Sequence, residues 1–530
     1  MKNCGFKLLS IVLSLIIILS STVVCMPSFA KDYSFFTDIP LIYVYGQGVS
    51  LFRKDENLPI DADEGRIYPV TIPDGFIEKA VKENIGIFAK AVFTQKWKPF
   101  GDALSEILTE LYGPLALDEN GNTTDESYHY HPNQIQNIDA QKTNGKYAYD
   151  QFEFFYDFRL DPYKVAEELH DYIKAVVDAT GNDHVALLGR CLGGCIISAY
   201  MEKYDGEYIS DLIYYCGAQN GATVVSTLFS GDLYLDADAA ERFVYDMEIT
   251  GEEITDELIN AFITLFNDTY GLDLTFWAVN NVFPDIYLDI LPQVFINTFG
   301  TWPGYWSMVD DNYYERAKDN VFHNADMDKW SGFVKIIDSY HYNVQCKLPK
   351  ILKNFEERGV NVFNICKYGY QAIPISTPSD IISDNTCQLD QASMGATVTS
   401  MLTTFDDEYM LSAEKNGTLK YISPDKQVDA STCLFPDTTW FIKNIEHRNF
   451  PDSISILIAE IINNRDYNVN SDSNYPQYMM YENEQVVPMT QSNCNTNEKY
   501  DVTLFDAIKT ICKNLCSLLK GFIQSKINII

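Results

Sequence analysis

A cysteine in a glycine turn, then an aspartate, then a histidine are the parts of an acyl-transfer site. Residues 184–204 read HVALLGRCLGGCIISAYMEKY: an apolar run ends in Gly189-Arg190-Cys191-Leu192-Gly193-Gly194 and passes at once into an apolar helical pattern. Strand, sharp turn and helix in that order make a nucleophile elbow, where the nucleophile is held in a strained backbone conformation at the strand end. Its neighbours two positions either side, Gly189 and Gly193, must then lack side chains, and Gly194 lets the helix approach the sheet closely. Cys191 occupies the place where serine is usual. At a helix N-terminus the dipole and free N–H groups favour a thiolate, so sulfur suits the position.

The remaining chemistry sets further requirements. An oxyanion hole needs two N–H donors. One is the backbone N–H of Leu192; the other is assigned to the N–H of Gln47, in the loop after the first strand run of the chain, IPLIYVYGQGVSLF. A base and its orienting acid must lie downstream, at the carboxyl ends of later strands. His447 follows the strand-like run TTWFIKNI and meets that demand. His323 and His341 fall in or beside a helical insertion and read as solvated or packed side chains, and His184 precedes its strand, at the wrong end of a sheet. For the acid, the strand run VNVFNICKYG is followed by a loop containing SDNTCQLDQASMGAT; Asp384 is the assignment and Asp390 the alternative.

The elements that must position these residues are legible too. Short apolar runs (HVALLG, DLIYYCG, VNVFNICKYG, TTWFIKNI) alternate with amphipathic patterns such as DPYKVAEELHDYIKAVVDAT. Buried strands alternating with helices predict an α/β chain built on a mostly parallel sheet. The expected division is a first core part over 31–228, a helical cap inserted at 229–345, and a second core part over 346–465. A polar linker over 466–500 and a C-terminal basic amphipathic helix over 501–530 follow. Four tryptophans (Trp277, Trp302, Trp306, Trp330) lie in the insertion, most of them expected in its core. In the tail, Leu504, Ile508, Ile511, Leu515, Leu518 and Phe522 recur at helical spacing among lysines. Peripheral contact with a membrane surface through 504–530 is one reading of it; docking on the protein's own core or a partner helix is the other.

Residues 1–30 are set apart: Lys2 and Lys7 precede an apolar run, and Ser28 and Ala30 supply small residues. That is the pattern of a signal peptide cut after Ala30, and it predicts a secreted, extracellular or cell-surface protein. Without its two lysines the chain carries 37 basic against 74 acidic residues, a balance that repels nucleic acid. The cysteines form no CxxC pairs and sit mostly in apolar runs, so they read as buried thiols rather than disulfides or a zinc site. LDENGNTTDESYHYHP fails as a calcium loop, with Thr123 at position six and His129 at position twelve counted from Asp118. His129 and His131 lack a third metal ligand, and the stretch reads as an exposed loop. No cofactor and no metal are expected.

Several stretches together resemble one family. FFYDFRLDPYKVAEELHDYIKAV (with Tyr156, Asp157, Phe158 and Arg159), GAQNGATVVSTLFSGD, FGTWPGYWSMVDDNYYERA and ISDNTCQLD are similar to segments of lecithin–cholesterol acyltransferase-like lipases, a branch of the α/β-hydrolase superfamily. The resemblance spans roughly residues 38 to 462 and implies an α/β-hydrolase fold with a helical cap. Three positions depart from the branch: Cys191 replaces its serine, Asn385 the glycine after the acid, and Tyr45 the histidine of the oxyanion turn. A cysteine at the elbow resembles dienelactone hydrolases and polyhydroxyalkanoate synthases, in which a thiol carries the acyl group. The implied activity is hydrolysis or transfer of carboxylic, lipid-like esters through a thioester on Cys191, with His447 as base and Asp384 orienting it. The reading from another class is a catalytically inactive, hydrolase-like surface protein that binds a ligand.

Overall fold

A computed structural model of the chain describes residues 35–54, 62–73, 75–124, 127–129, 146–148, 152–247, 253–494, 500 and 502–514. The expectations for residues 1–30, for the His129–His131 pair and for the tail beyond residue 514 lie outside that description. Five apolar runs form strands: β1 (Leu41–Val44), β3 (Val185–Arg190), β4 (Ile209–Tyr215), β5 (Asn361–Tyr368) and β6 (Thr439–Lys443). They join β2 (Phe152–Phe154), β7 (Tyr478–Glu482) and β8 (Gln485–Pro488) in one eight-stranded sheet of order β8-β7-β6-β5-β4-β3-β1-β2. Every neighbouring pair is parallel except the β7–β8 hairpin. All residues of β3 and β6 are buried, as a parallel strand covered on both faces requires.

The strand order has a reversal that positions the site. From β1 the chain goes to the edge as β2, then crosses back over β1 to β3. The carboxyl ends of β1 and β3 therefore flank a topological switch point, where open α/β sheets form their crevice. The Gly46-Gln47 turn leaves β1 and the Cys191 turn leaves β3, so both open at that crevice.

Helices flank the sheet. Helices α1 (Phe76–Thr94) and α2 (Lys98–Tyr112) come before β2; α3 (Pro162–Thr180) and α4 (Gly193–Tyr204) flank β3; α5 (Thr223–Ser230) follows β4. The α3 boundaries are local chemistry: Pro162 at the first turn, an Asp161 carboxylate accepting from the Tyr163 N–H at 3.0 Å, and Gly181 at φ 68° closing the other end. The insertion supplies α6 (Ala237–Asp246), α7 (Glu253–Asp268), α8 (Gly271–Ile296), α9 (Asp311–Val321) and α10 (Met327–Asn343). Helices α11 (Leu348–Glu357), α12 (Leu389–Ala392), α13 (Asp407–Asn416) and α14 (Asp452–Asn463) lie in the second half. Trp302, Trp306 and Trp330 are core residues, whereas Trp277 on α8 is 64% exposed. The sequence assigns α2 to the first core part, yet it packs on the insertion: Ser105 donates to the Gln293 carbonyl at 3.0 Å, and Gly101 lies against Ile290.

The linker expected over 466–500 is corrected by the structure. Its residues 478–488 form β7 and β8 and extend the main sheet. The two-residue turn between them, Asn483-Glu484, has φ of 50° and 63°, the left-handed pair of a type I′ hairpin. Tyr478, Met479 and Met480 are buried in succession, so β7 packs on both faces, Met479 into one core cluster and Tyr478 and Met480 into another.

Residues 504–514 are helical as expected. Ala507 is buried and the Asn514 amide donates to Glu257 of α7 at 2.8 Å, while Leu504, Phe505 and Ile508 remain exposed. No helix among the described residues is long and apolar enough to cross a membrane.

Candidate active site

Cys191 has φ 53°, left-handed for a residue with a side chain. This is the strained turn the elbow requires. The glycines around it are demanded by close approach. A Cβ added at Gly189 would sit 2.8 Å from the Gly193 carbonyl oxygen, and one at Gly193 would sit 2.2 Å from that of Val44. At Gly194 it would meet the Gln219 amide oxygen at 2.6 Å. Gly46, to which sequence reasoning gave no role at the site, approaches Cys191 closely: its added Cβ would lie 2.7 Å from that of Cys191.

The acid and histidine meet at the same place. His447 Nδ1 and Asp384 Oδ2 are 2.7 Å apart, and both side chains are 1% exposed. The other carboxylate oxygen accepts from the Thr386 N–H at 3.1 Å and the Cys387 N–H at 2.7 Å. Burial alone would raise the Asp384 pKa; the facing His447 overrides it, with help from Lys367 and the Cys387 N–H, and holds the carboxyl below its usual value. Asn385, next to the acid, has φ 76°. Among residues with side chains, asparagine tolerates that region best, so it suits the turn. Asp390, the alternative acid, is exposed at the start of α12, and no hydrogen bond among the described residues joins it to a histidine.

Cys191 Sγ, Cys387 Sγ and a ring nitrogen of His447 lie within 4.8 Å of one another. Asp384 holds Nδ1, so the opposite nitrogen, Nε2, is the one that geometry offers to sulfur. Cys216, Asp384 and His447 form a second group within the same limit. Burial pushes the Cys216 thiol up to about 12, which keeps it protonated beside the pair. Two thiols and an imidazole would also accept a soft metal ion, but here they belong to the arrangement around Cys191.

Two buried cations that sequence reasoning missed fix the histidine loop. Arg190, next to the nucleophile, donates to the His447 carbonyl at 2.7 Å. Lys367 on β5 donates to the carbonyls of Glu446, His447 and Asn449 at 2.9, 3.1 and 2.6 Å. The His447 N–H in turn donates to the Asp384 carbonyl at 2.8 Å. Their partners lie 79 to 257 residues away in the chain, so no local motif announces them.

Neither the Gln47 N–H nor the Leu192 N–H has a protein acceptor among the described residues. The Gln47 side chain is buried and donates to the Tyr305 hydroxyl of the insertion at 2.7 Å. Tyr45 does not reach into the site as an oxyanion donor: its hydroxyl bonds to Glu153, its ring stacks on Phe155, and its carbonyl accepts from Tyr156 at 2.7 Å. Asp157 and Arg159 form a buried two-point ion pair, with contacts of 2.9 and 2.6 Å. The Arg159 carbonyl accepts from the Gly304 N–H at 3.1 Å, which seats residues 303–306 beside the oxyanion loop. Gln219 is fully buried at the start of α4, and neither of its amide atoms has a partner among the described residues.

All nine cysteines among the described residues are free, seven of them buried. No protein-family model matches the chain, and no curated protein matches it in sequence.

Proposed function

We propose that the protein is an α/β-hydrolase-fold acyl hydrolase or acyltransferase that works through Cys191, His447 and Asp384. The observation that carries this reading is one arrangement. A cysteine with left-handed φ stands at the switch point, within 4.8 Å of a histidine whose other nitrogen is 2.7 Å from a buried carboxylate. The sheet order supports the fold assignment, because reversal at β1 puts the elbow and the oxyanion loop side by side.

In the proposed cycle Cys191 sulfur attacks the ester carbonyl while His447 Nε2 takes the thiol proton. The oxyanion is held by the N–H groups of Gln47 and Leu192. The tetrahedral intermediate collapses to a thioester as His447 protonates the departing alkoxide. A water or an alcohol, deprotonated by His447, then attacks the thioester and expels the Cys191 thiolate. The acid keeps the ring in the tautomer that both steps need.

A lipid-like substrate is favoured by the surface of the insertion. Phe262, Phe266, Tyr270, Leu274 and Trp277 are 43–76% exposed along α7, α8 and the turn between them. An exposed aromatic strip of this kind fits an apolar interface.

The test is intact-mass analysis of the full-length protein after exposure to nitrophenyl esters of increasing acyl length. A thioester adduct mapped to Cys191, cleaved by neutral hydroxylamine and absent in Cys191→Ala, is the expected result. Ester turnover undiminished in Cys191→Ala would overturn the reading.

A further inference from the structure

A second group of chemistry-bearing side chains lies outside the crevice. Asp311 opens α9, His341 lies in the last turn of α10, and Cys346 lies in the short turn that follows. His341 Nε2 and Asp311 Oδ1 are 3.1 Å apart, Cys346 Sγ and the same oxygen 3.3 Å, and Cys346 Sγ and Nε2 3.4 Å. Three such donors around one tetrahedral zinc-class ion would be about 3.3–3.6 Å apart, given the usual metal–nitrogen, metal–oxygen and metal–sulfur bond lengths. The observed triangle is within a few tenths of an ångström of that.

Hydrogen-bond accounting sharpens the case. The Gln345 amide nitrogen donates to the Ser307 carbonyl at 3.3 Å, which turns its oxygen toward His341 Nδ1 at 2.8 Å. Nδ1 therefore carries the proton, and Nε2 keeps its lone pair. That lone pair faces a carboxylate oxygen at 3.1 Å. Two acceptors so placed repel unless a proton or a cation stands between them. A cation satisfies nitrogen, oxygen and sulfur at once.

The surroundings are those of a supported ligand set. The His341 ring stacks on Tyr314 at 3.5 Å with an interplanar angle of 4°, and Gln345 fixes its tautomer. Asp311 and Cys346 are exposed, so an ion has a path in and a fourth position open to water.

We propose that Asp311, His341 and Cys346 form a binding site for a zinc-class divalent cation, which fastens the start of α9 to the end of α10. This site is independent of the reading of Cys191. The experiment is cobalt titration of chelator-treated full-length protein carrying Cys191→Ser, Cys216→Ser and Cys387→Ser, which removes the sulfur donors around His447. One equivalent of cobalt with a thiolate-to-metal charge-transfer band is expected, displaced by zinc. Cys346→Ala or Asp311→Ala, both at exposed positions, should weaken binding about a hundredfold or more, and Gln345→Ala by about ten- to a hundredfold. Far-ultraviolet dichroism checks that each variant is folded. If no thiolate band appears, or if it survives Cys346→Ala unchanged, the trio is an ordinary histidine–aspartate ion pair beside a thiol and the proposal fails.

Discussion

Two constellations of cysteine, histidine and aspartate lie in this molecule, and they are wired in opposite senses. In the crevice the carboxylate of Asp384 takes Nδ1 of His447 and leaves the far side of the ring to sulfur. On the insertion an amide takes Nδ1 of His341, and carboxylate and sulfur both crowd Nε2. The first wiring suits the proposed proton relay: one nitrogen is anchored by the acid and the other is left for exchange with Cys191. The second gathers three electron-pair donors at one point, which suits an ion and leaves no relay. Residue types alone do not separate these roles; what faces each ring nitrogen does.

Substitutions should break this symmetry of composition. Cys191→Ala and His447→Ala are each expected to lower ester turnover on the order of a millionfold, as removal of either member of a relay does. His341→Ala should leave turnover within a few-fold. Steady-state kinetics on a short-chain nitrophenyl ester measures all three, and a large loss in His341→Ala would move the base assignment to the insertion. Asp384→Asn comes next, at about ten-thousandfold, because an amide selects the wrong tautomer. If Asp390→Asn is the damaging change instead, the acid has been misassigned.

Smaller effects test the supporting shell. Lys367→Met strips a charged donor from three buried carbonyls and should cost about 3 kcal/mol of stability or more, read from urea unfolding. Its turnover loss should be about tenfold, through displacement of His447. Gly46→Ala forces the oxyanion loop off the nucleophile; an overpacking cost of about 1–3 kcal/mol and a fall in kcat larger than any rise in KM are expected.

An acid titration sharpens the same contrast. The Asp384 pKa is depressed in the folded protein. Its contribution to stability is therefore present above the unfolded value of about 3.9 and is lost as pH falls through the lower folded value. Wild type and Asp384→Asn should differ in unfolding free energy near neutrality and converge in strong acid. A difference that persists at the lowest pH would mean the pair is not the source. The smallest effect concerns the tail. Truncation after Tyr500 removes the Asn514–Glu257 contact and four lysines. The shortened chain should stay folded, keep turnover of soluble esters, and lose salt-sensitive binding to anionic vesicles. Aggregation of the truncated chain would show instead that the helix belongs to the core.

The members of the proposed relay could be picked out in the sequence because each comes after a buried strand. Strands of apolar residues bounded by glycine and polar turns are local patterns; Cys191 directly follows β3, His447 comes soon after β6, and Asp384 lies in the long loop after β5. What escaped was everything whose meaning is long-range. Arg190 and Lys367 read as ordinary charges, since the carbonyls they hold are recognised only after the chain folds. The β7–β8 hairpin escaped for another reason: Asn483-Glu484 lacks the glycine that usually marks a type I′ turn, and its short apolar flanks are set in an otherwise polar stretch. The ligand-like trio escaped because Asp311 lies 30 residues before His341, and a histidine four residues before a glutamine gives no signal that one side chain orients the other.

The hydrogen bond from Gln47 to Tyr305 has a meaning for how such a protein can change over evolutionary time. Caps are the part of an enzyme that can most readily be exchanged to meet new substrates, because the chemistry stays behind in the sheet. Here the residue assigned to half of the oxyanion hole is tied by its own side chain to the cap, 258 positions along the chain. A grafted cap without a hydroxyl at that point would leave the Gln47 amide buried and unmet, and the loop beside Cys191 would lose its anchor. On the proposed function, specificity and rate are thus not separate modules in this chain. A lineage that altered the cap around Tyr305 would have had to alter the turn at Gln47 with it.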